Sequence, residues 1–151
     1  MRIVGMALAL ALAVGGTACG GKKGGDVKAP TLSLYDRLGQ KPAIEVVVDK
    51  FLANVVADGR INASFAHLDA DGVAHLRAML VDQVCQATGG PCTYTGKSMK
   101  EAHAGMGINQ DQFNALVEDL SKALDEAGVR PSDRDELLGA LGGMQPDIVA
   151  Q

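Results

Sequence analysis

The chain contains no tryptophan, and phenylalanine and tyrosine together supply 3% of its 151 residues. A surface for single-stranded nucleic acid needs flat side chains on which successive bases stack, and this chain can hardly furnish one. Basic residues are scattered: 14 lysines and arginines stand against 18 acidic residues, for a formal charge of -4. No stretch gathers them into a basic face, which argues against duplex binding. Familiar catalytic signatures are missing as well. There is no HExxH, no GxSxG and no Walker loop. Three cysteines and three histidines at scattered positions do not make the four compact ligands of a structural zinc site. Asp69, Asp71 and Gly72 begin a calcium-loop pattern, but the remaining ligands of such a loop are absent, including its terminal glutamate. The acidic residues fall mostly on polar helix faces, where a solvated surface accounts for them.

What is present begins with a leader. Residues 1–19 carry Arg2, an apolar run from Ile3 to Val14, then small residues up to Cys19, the order of a secretory signal. The run is short for a membrane span. Gly16-Thr17-Ala18-Cys19 resembles the lipobox of bacterial lipoproteins, with Gly16 where leucine is usual. Two readings stay open: lipid attachment at Cys19, with anchoring to a membrane, or plain secretion with cleavage near Ala18. Both predict an exported protein, on the periplasmic side of a bacterial membrane or released. Residues 20–30, polar and rich in glycine, read as a flexible tether, and the folded domain is predicted over 31–151.

From Leu34 onward the periodicity is helical. Leu34, Tyr35 and Leu38 form a short turn ended by Gly39. Ile44, Val47, Val48, Phe51, Leu52 and Val55 recur at three, four and seven residues, the stripe of an amphipathic helix. The β-branched content makes a strand the competing reading, and length favours helix. After an irregular connection holding Phe65, Asp71 is expected to cap a second stripe of Val73, Leu76, Leu80, Val84 and Ala87, with Met79 beside it. Thr88-Gly89-Gly90-Pro91 stops that helix. Cys85 and Cys92, seven apart across this break in an exported protein, are expected to be bridged. Ser98 and Glu101 form a capping box for a short helix with Met99 and His103 on one face, and Asn109 with Gln112 repeats the pattern. The helix that follows has Phe113, Leu116, Val117, Leu120 and Leu124 inward, with Glu118, Asp119, Lys122 and Asp125 expected to face water. Pro131 opens the last helix, with Leu137, Leu138, Leu141 and Met144 inward. The sum is an all-α domain of four main helices plus short pieces.

Among the histidines, His67 reads as a surface residue, and His75 faces either a pocket or solvent. His103 has Met99 below it on the same face and a glycine break directly after it. Neutral imidazole offers a lone pair near physiological pH and is a common ligand for haem iron or zinc. On pattern alone, a ligand and an ordinary core or surface histidine are equally good readings of His103.

The blocks LYDRLGQKPAIEVVVDKFLANVVAD, TGGP, YTGKSMKEAHAGMGI and the following QF resemble, in order and spacing, a truncated haemoglobin of the first group, from about Leu34 to Ile148. That resemblance implies a truncated globin-like two-over-two helical sandwich around a non-covalently held haem b. By position it makes His103 the proximal iron ligand. It packs Phe51, Phe65 and Met99 against the haem, and sets Phe113, Val117 and Leu120 to close the proximal side. The distal wall would comprise Leu52, where the family commonly has tyrosine, with Leu76, Met79 and Leu80. None of these donates a hydrogen bond, so a gas that takes up negative charge on binding is held less firmly than in donor-rich relatives. Met79 or His75 is the alternative sixth ligand of the resting iron.

The function implied is reversible binding of a diatomic gas, oxygen with nitric oxide or carbon monoxide as alternatives, in a carrier or scavenger role. No catalytic residue is assigned. Nitric oxide removal or a peroxidase-like side activity would need an outside redox partner, since no flavin or nicotinamide domain is present. There is also no CxxCH for covalent haem attachment. The reading from a different class is a non-haem helical lipoprotein serving as an envelope binding or structural module.

Overall fold

The computed structural model describes residues 31–149, so the predicted leader, Cys19 and the tether lie outside the described residues. The helices are α1 (Leu34–Leu38), α2 (Gln40–Ala57), α3 (Ala70–Ala87), α4 (Met99–His103), α5 (Gln110–Glu126) and α6 (Pro131–Gly142). Two 3-10 turns, Asn62–Phe65 and Gln145–Asp147, complete the described order. There is no strand among the described residues, and α2 packs against both α3 and α5 while α5 packs against α6. This is the expected all-α sandwich of two helix pairs. No helix among the described residues is long and apolar enough to cross a membrane.

Helix boundaries follow from local chemistry. Gly39, at φ 97°, ends α1 in the left-handed region that only glycine adopts cheaply. Both predicted capping boxes form, Ser98 with Glu101 on α4 and Asn109 with Gln112 on α5. The cap of α3 differs from expectation: Asp69, not Asp71, is extended and takes the Gly72 N–H at 2.8 Å. Asp71 lies already inside the first turn, where its charge suits the helix dipole. Past the end of α3, Gly90 is required by space. A Cβ there would sit 2.5 Å from the Tyr35 ring and 2.7 Å from Cys85 Sγ.

One core cluster joins Leu34, Ile44, Val48, Val84, Leu124 and Leu137, and so locks α1 and α2 to α3, α5 and α6. Arg37 reinforces it from the rim. Its Nε donates to Asp133 Oδ1 at 2.8 Å, and its guanidinium also pairs with Glu136. Arg130 Nε donates to Asp133 Oδ2 at 2.7 Å. Arg37 first, and then Arg130, hold the Asp133 carboxyl below the usual carboxylate range. This tie therefore stabilises the fold above the ordinary carboxylate pKa and is lost as pH falls through the lowered one.

The second cluster, Phe51, Val55, Ile61, Ala115 and Ala123, corrects the reading of α5. The face that packs on α2 carries Ala115, Asp119 and Ala123, three residues at four-residue spacing. Asp119 is therefore buried, at 8% exposure, and does not face water. Alanine allows the close helix approach that an apolar count overlooks. Its Oδ2 has no hydrogen-bond partner. Burial first, and then the nearby Asp58 carboxylate, raise its pKa. A raised folded pKa means that Asp119 supports the fold when protonated and weakens it as pH climbs through that value. Asp119→Asn should accordingly raise the melting temperature at pH 7, by the equivalent of about 1 kcal/mol, the low end for a buried group without a partner. The gap between variant and wild type should close towards about pH 4, where the unfolded carboxyl also protonates. A gap that is constant across this range, or reversed, would refute the account.

Candidate functional site

The site is built outward from His103. It closes α4, a helix of five residues with no buried member. Its ring Nδ1 lies 2.7 Å from the Met99 carbonyl oxygen, one turn earlier. A carbonyl only accepts, so Nδ1 carries the hydrogen and donates it. The Nε2 lone pair is then left outward, the tautomer a metal-ligating imidazole uses. Helical geometry puts Met99 under His103 at four-residue spacing, and the chain breaks straight after it. Gly105 at φ 77° and Gly107 at φ 60° carry it into the next cap.

Half-buried apolar side chains stand on three other helices. On α3, Leu76, Met79, Leu80 and Gln83 are all half-buried, as is Leu52 on α2. On α5, Leu116, Val117 and Leu120 are half-buried, beside the alanine face that meets α2. Thus α5 has two apolar faces, one packed on protein and one only partly covered by it. Leu52, Phe65, Leu80, Leu116 and Leu120 converge on the second core cluster. The described residues therefore include both a set of incompletely covered apolar side chains and an imidazole with one nitrogen left for a ligand. Such a set fits a large planar apolar group that carries a metal.

Not every predicted residue belongs to this set. Phe51, at 8% exposure, and Phe113, at 7%, are buried in the core. His67 is exposed, as expected. His75 is exposed too, so of its two readings the structure takes solvent, and it does not join the wall of α3. Met79 stays half-buried on that wall. Cys85 and Cys92 come together, with their sulfurs 2.00 Å apart and Cα atoms 5.7 Å apart.

One residue was missed. Gln83 lies seven residues after Leu76 and three after Leu80, on the same face of α3. Its Nε2 sits 3.3 Å from Met99 Sδ and 3.4 Å from Met144 Sδ. With Gln86, Ala87 and Tyr94 these residues line a half-open pocket of about 290 Å³. The helical spacing of Gln83 from Leu76 and Leu80 is the signal in the sequence that points to it.

Comparison with known proteins decides the family. A bacterial-like globin family model matches residues 33–150. The group 1 truncated haemoglobin of Mycolicibacterium paratuberculosis is 37% identical over 121 residues, spanning 80% of this chain and 87% of that protein. The Synechocystis group 1 protein is 39% identical over 116 residues, 74% of this chain and 90% of that one. The chain belongs to the bacterial-like globin family, among the group 1 truncated haemoglobins. Solved globins carry the same architecture. The Tetrahymena pyriformis truncated haemoglobin in its Fe(III) form aligns with a TM-score of 0.74 at 31% identity, covering 80% of this chain and 100% of that one. The 2/2 haemoglobin from Synechococcus, solved with covalently attached haem, aligns with a TM-score of 0.72 at 31% identity and the same coverage. The expected two-over-two globin sandwich is thus the fold of this globin.

Proposed function

We propose that this globin binds a diatomic gas reversibly at the iron of a non-covalently held haem b, with His103 as the proximal ligand. The observation that carries the reading is the His103 ring itself: Nδ1 is committed to the Met99 carbonyl at 2.7 Å, which leaves Nε2 as the lone pair available to a metal. Haem iron supplies the coordination chemistry. The chain supplies the ring orientation, through Met99, and the exclusion of water, through Leu52, Leu76, Leu80 and Val117. Non-covalent retention is supported by the absence of CxxCH and by the pairing of Cys85 with Cys92, which leaves neither thiol for a thioether. With no hydrogen-bond donor at Leu52, Leu76 or Leu80 this globin would hold oxygen loosely, in keeping with a carrier role, and half-buried Met79 is our candidate for the sixth position at rest. A non-haem envelope role has no observation in its favour. The test is a haem titration of the purified chain. It should give a Soret band that saturates at one haem per chain and shifts with carbon monoxide; no saturable band would refute the reading.

The Cys85–Cys92 link joins the end of α3 to the loop that leads to α4. We read it as a clamp on the haem cleft, worth roughly 2 kcal/mol through the entropy of the unfolded chain. A Cys85→Ser/Cys92→Ser double variant should lose haem several-fold faster to an apoglobin acceptor. An unchanged loss rate would make the link decorative.

The leader and the lipobox-like Gly16–Cys19 support export, with anchoring at Cys19 to the periplasmic side of a membrane. Membrane partitioning of the full chain, abolished by Cys19→Ser, is the expected result; equal partitioning of both forms would refute lipidation. A nitric oxide scavenger in that compartment would depend on a separate redox partner to return the iron to its ferrous state.

A further inference from the structure

The helix that presents His103 is the least anchored of the six. It has five residues, none of them buried, and its capping box ties it only to itself. What reaches out from it is Met99, whose sulfur accepts from Gln83 Nε2 at 3.3 Å. The same amide donates to Met144 Sδ at 3.4 Å, just beyond α6. One side chain of α3 thus joins the distal helix, the proximal helix and the C-terminal segment at a single point. Met99 is also the residue whose backbone oxygen fixes the His103 ring. A shift of Met99 is therefore a shift of the imidazole's anchor. Thioether sulfur is a weak acceptor but a polarisable, well-fitting contact. An amide with two sulfurs on it places α4 by direction as well as by packing, which an aliphatic side chain of the same size could not do.

We propose that Gln83 is a positioning residue for the proximal ligand: through Met99 and Met144 it sets where α4 stands, and hence how His103 meets the iron. The proposal rests on the haem reading above for its consequence, but not for its structural part. Two variants of the full chain test it. Gln83→Ala removes the contact, and Gln83→Met keeps the length and apolar packing without the donor. With haem bound, both should lose haem to an apoglobin acceptor about tenfold faster than wild type and shift the iron–histidine stretching band of the ferrous form in resonance Raman spectra. In the haem-free chain, both should lose hydrogen-exchange protection in residues 99–106 while α2 and α5 keep theirs. Wild-type rates and frequencies in both variants would overturn the proposal. A shift in Gln83→Ala alone would also overturn it, because packing and not the amide would then place α4. If the wild type takes up no haem, the haem reading fails, and hydrogen exchange in the haem-free chains still decides whether Gln83 holds α4.

Discussion

His103→Ala should abolish the Soret band that haem gives with the wild-type chain, with haem affinity falling by more than about 100-fold. Loss of an outer-shell partner alone costs a metal site about 10- to 100-fold, and this substitution removes the ligand itself. The fold has little reason to fail with it. His103 is half-buried at the end of a five-residue helix, and it contributes to neither core cluster. Far-ultraviolet circular dichroism and the melting temperature of the haem-free variant should therefore match the wild type. Free imidazole supplies the missing lone pair without the tether, so adding it at millimolar concentration should restore part of the band. That rescue separates a lost ligand from a damaged pocket. An undiminished Soret band in His103→Ala would show that another side chain holds the iron, and would sink the assignment.

What could be read from residues alone divides along a physical line. Features set within a few residues of each other were legible: both capping boxes, the Gly39 stop, the end of α3 at the glycine pair, and the placement of Met99 beneath His103. Each depends on local hydrogen bonding and backbone sterics. Features set by which helix faces which were not. The apolar residues of α5 form one stripe in sequence, yet in space Phe113 and Leu124 are core while Leu116, Val117 and Leu120 lie half-covered. Hydrophobicity cannot tell a face that meets protein from one that meets a cofactor, because both are apolar. The true contact with α2 runs through Ala115 and Ala123, whose small side chains carry little weight in such a count. Asp119 went underground with them, against the usual rule for a charged residue. Gln83 was overlooked for the converse reason. It is polar, and it was given no place on a wall expected to be apolar.

Leu52→Tyr should slow oxygen dissociation by about 10- to 100-fold, since a hydrogen bond to a group carrying charge contributes about 1.5–3 kcal/mol and 1.4 kcal/mol is a factor of ten. Leu52 is half-buried on α2 and packs against both core clusters, so its Cβ is firmly placed while part of the side chain stays uncovered. The neighbours there, Leu80 above all, offer a phenol hydroxyl no acceptor. Without a gas the hydroxyl goes unpartnered. With oxygen, which draws negative charge from the iron, it finds an acceptor, and the complex gains relative to the empty state. Carbon monoxide draws far less charge, so its dissociation should change much less, and the ratio of the two effects separates hydrogen bonding from a simple steric block. Stopped-flow oxygen displacement and carbon monoxide replacement on both proteins provide the measurement. A variant that releases oxygen at the wild-type rate or faster would mean that Leu52 does not face the gas. Equal slowing of both gases would mean that the ring obstructs escape. Only selective slowing of oxygen would identify the missing donor at Leu52 as what sets how firmly oxygen is held.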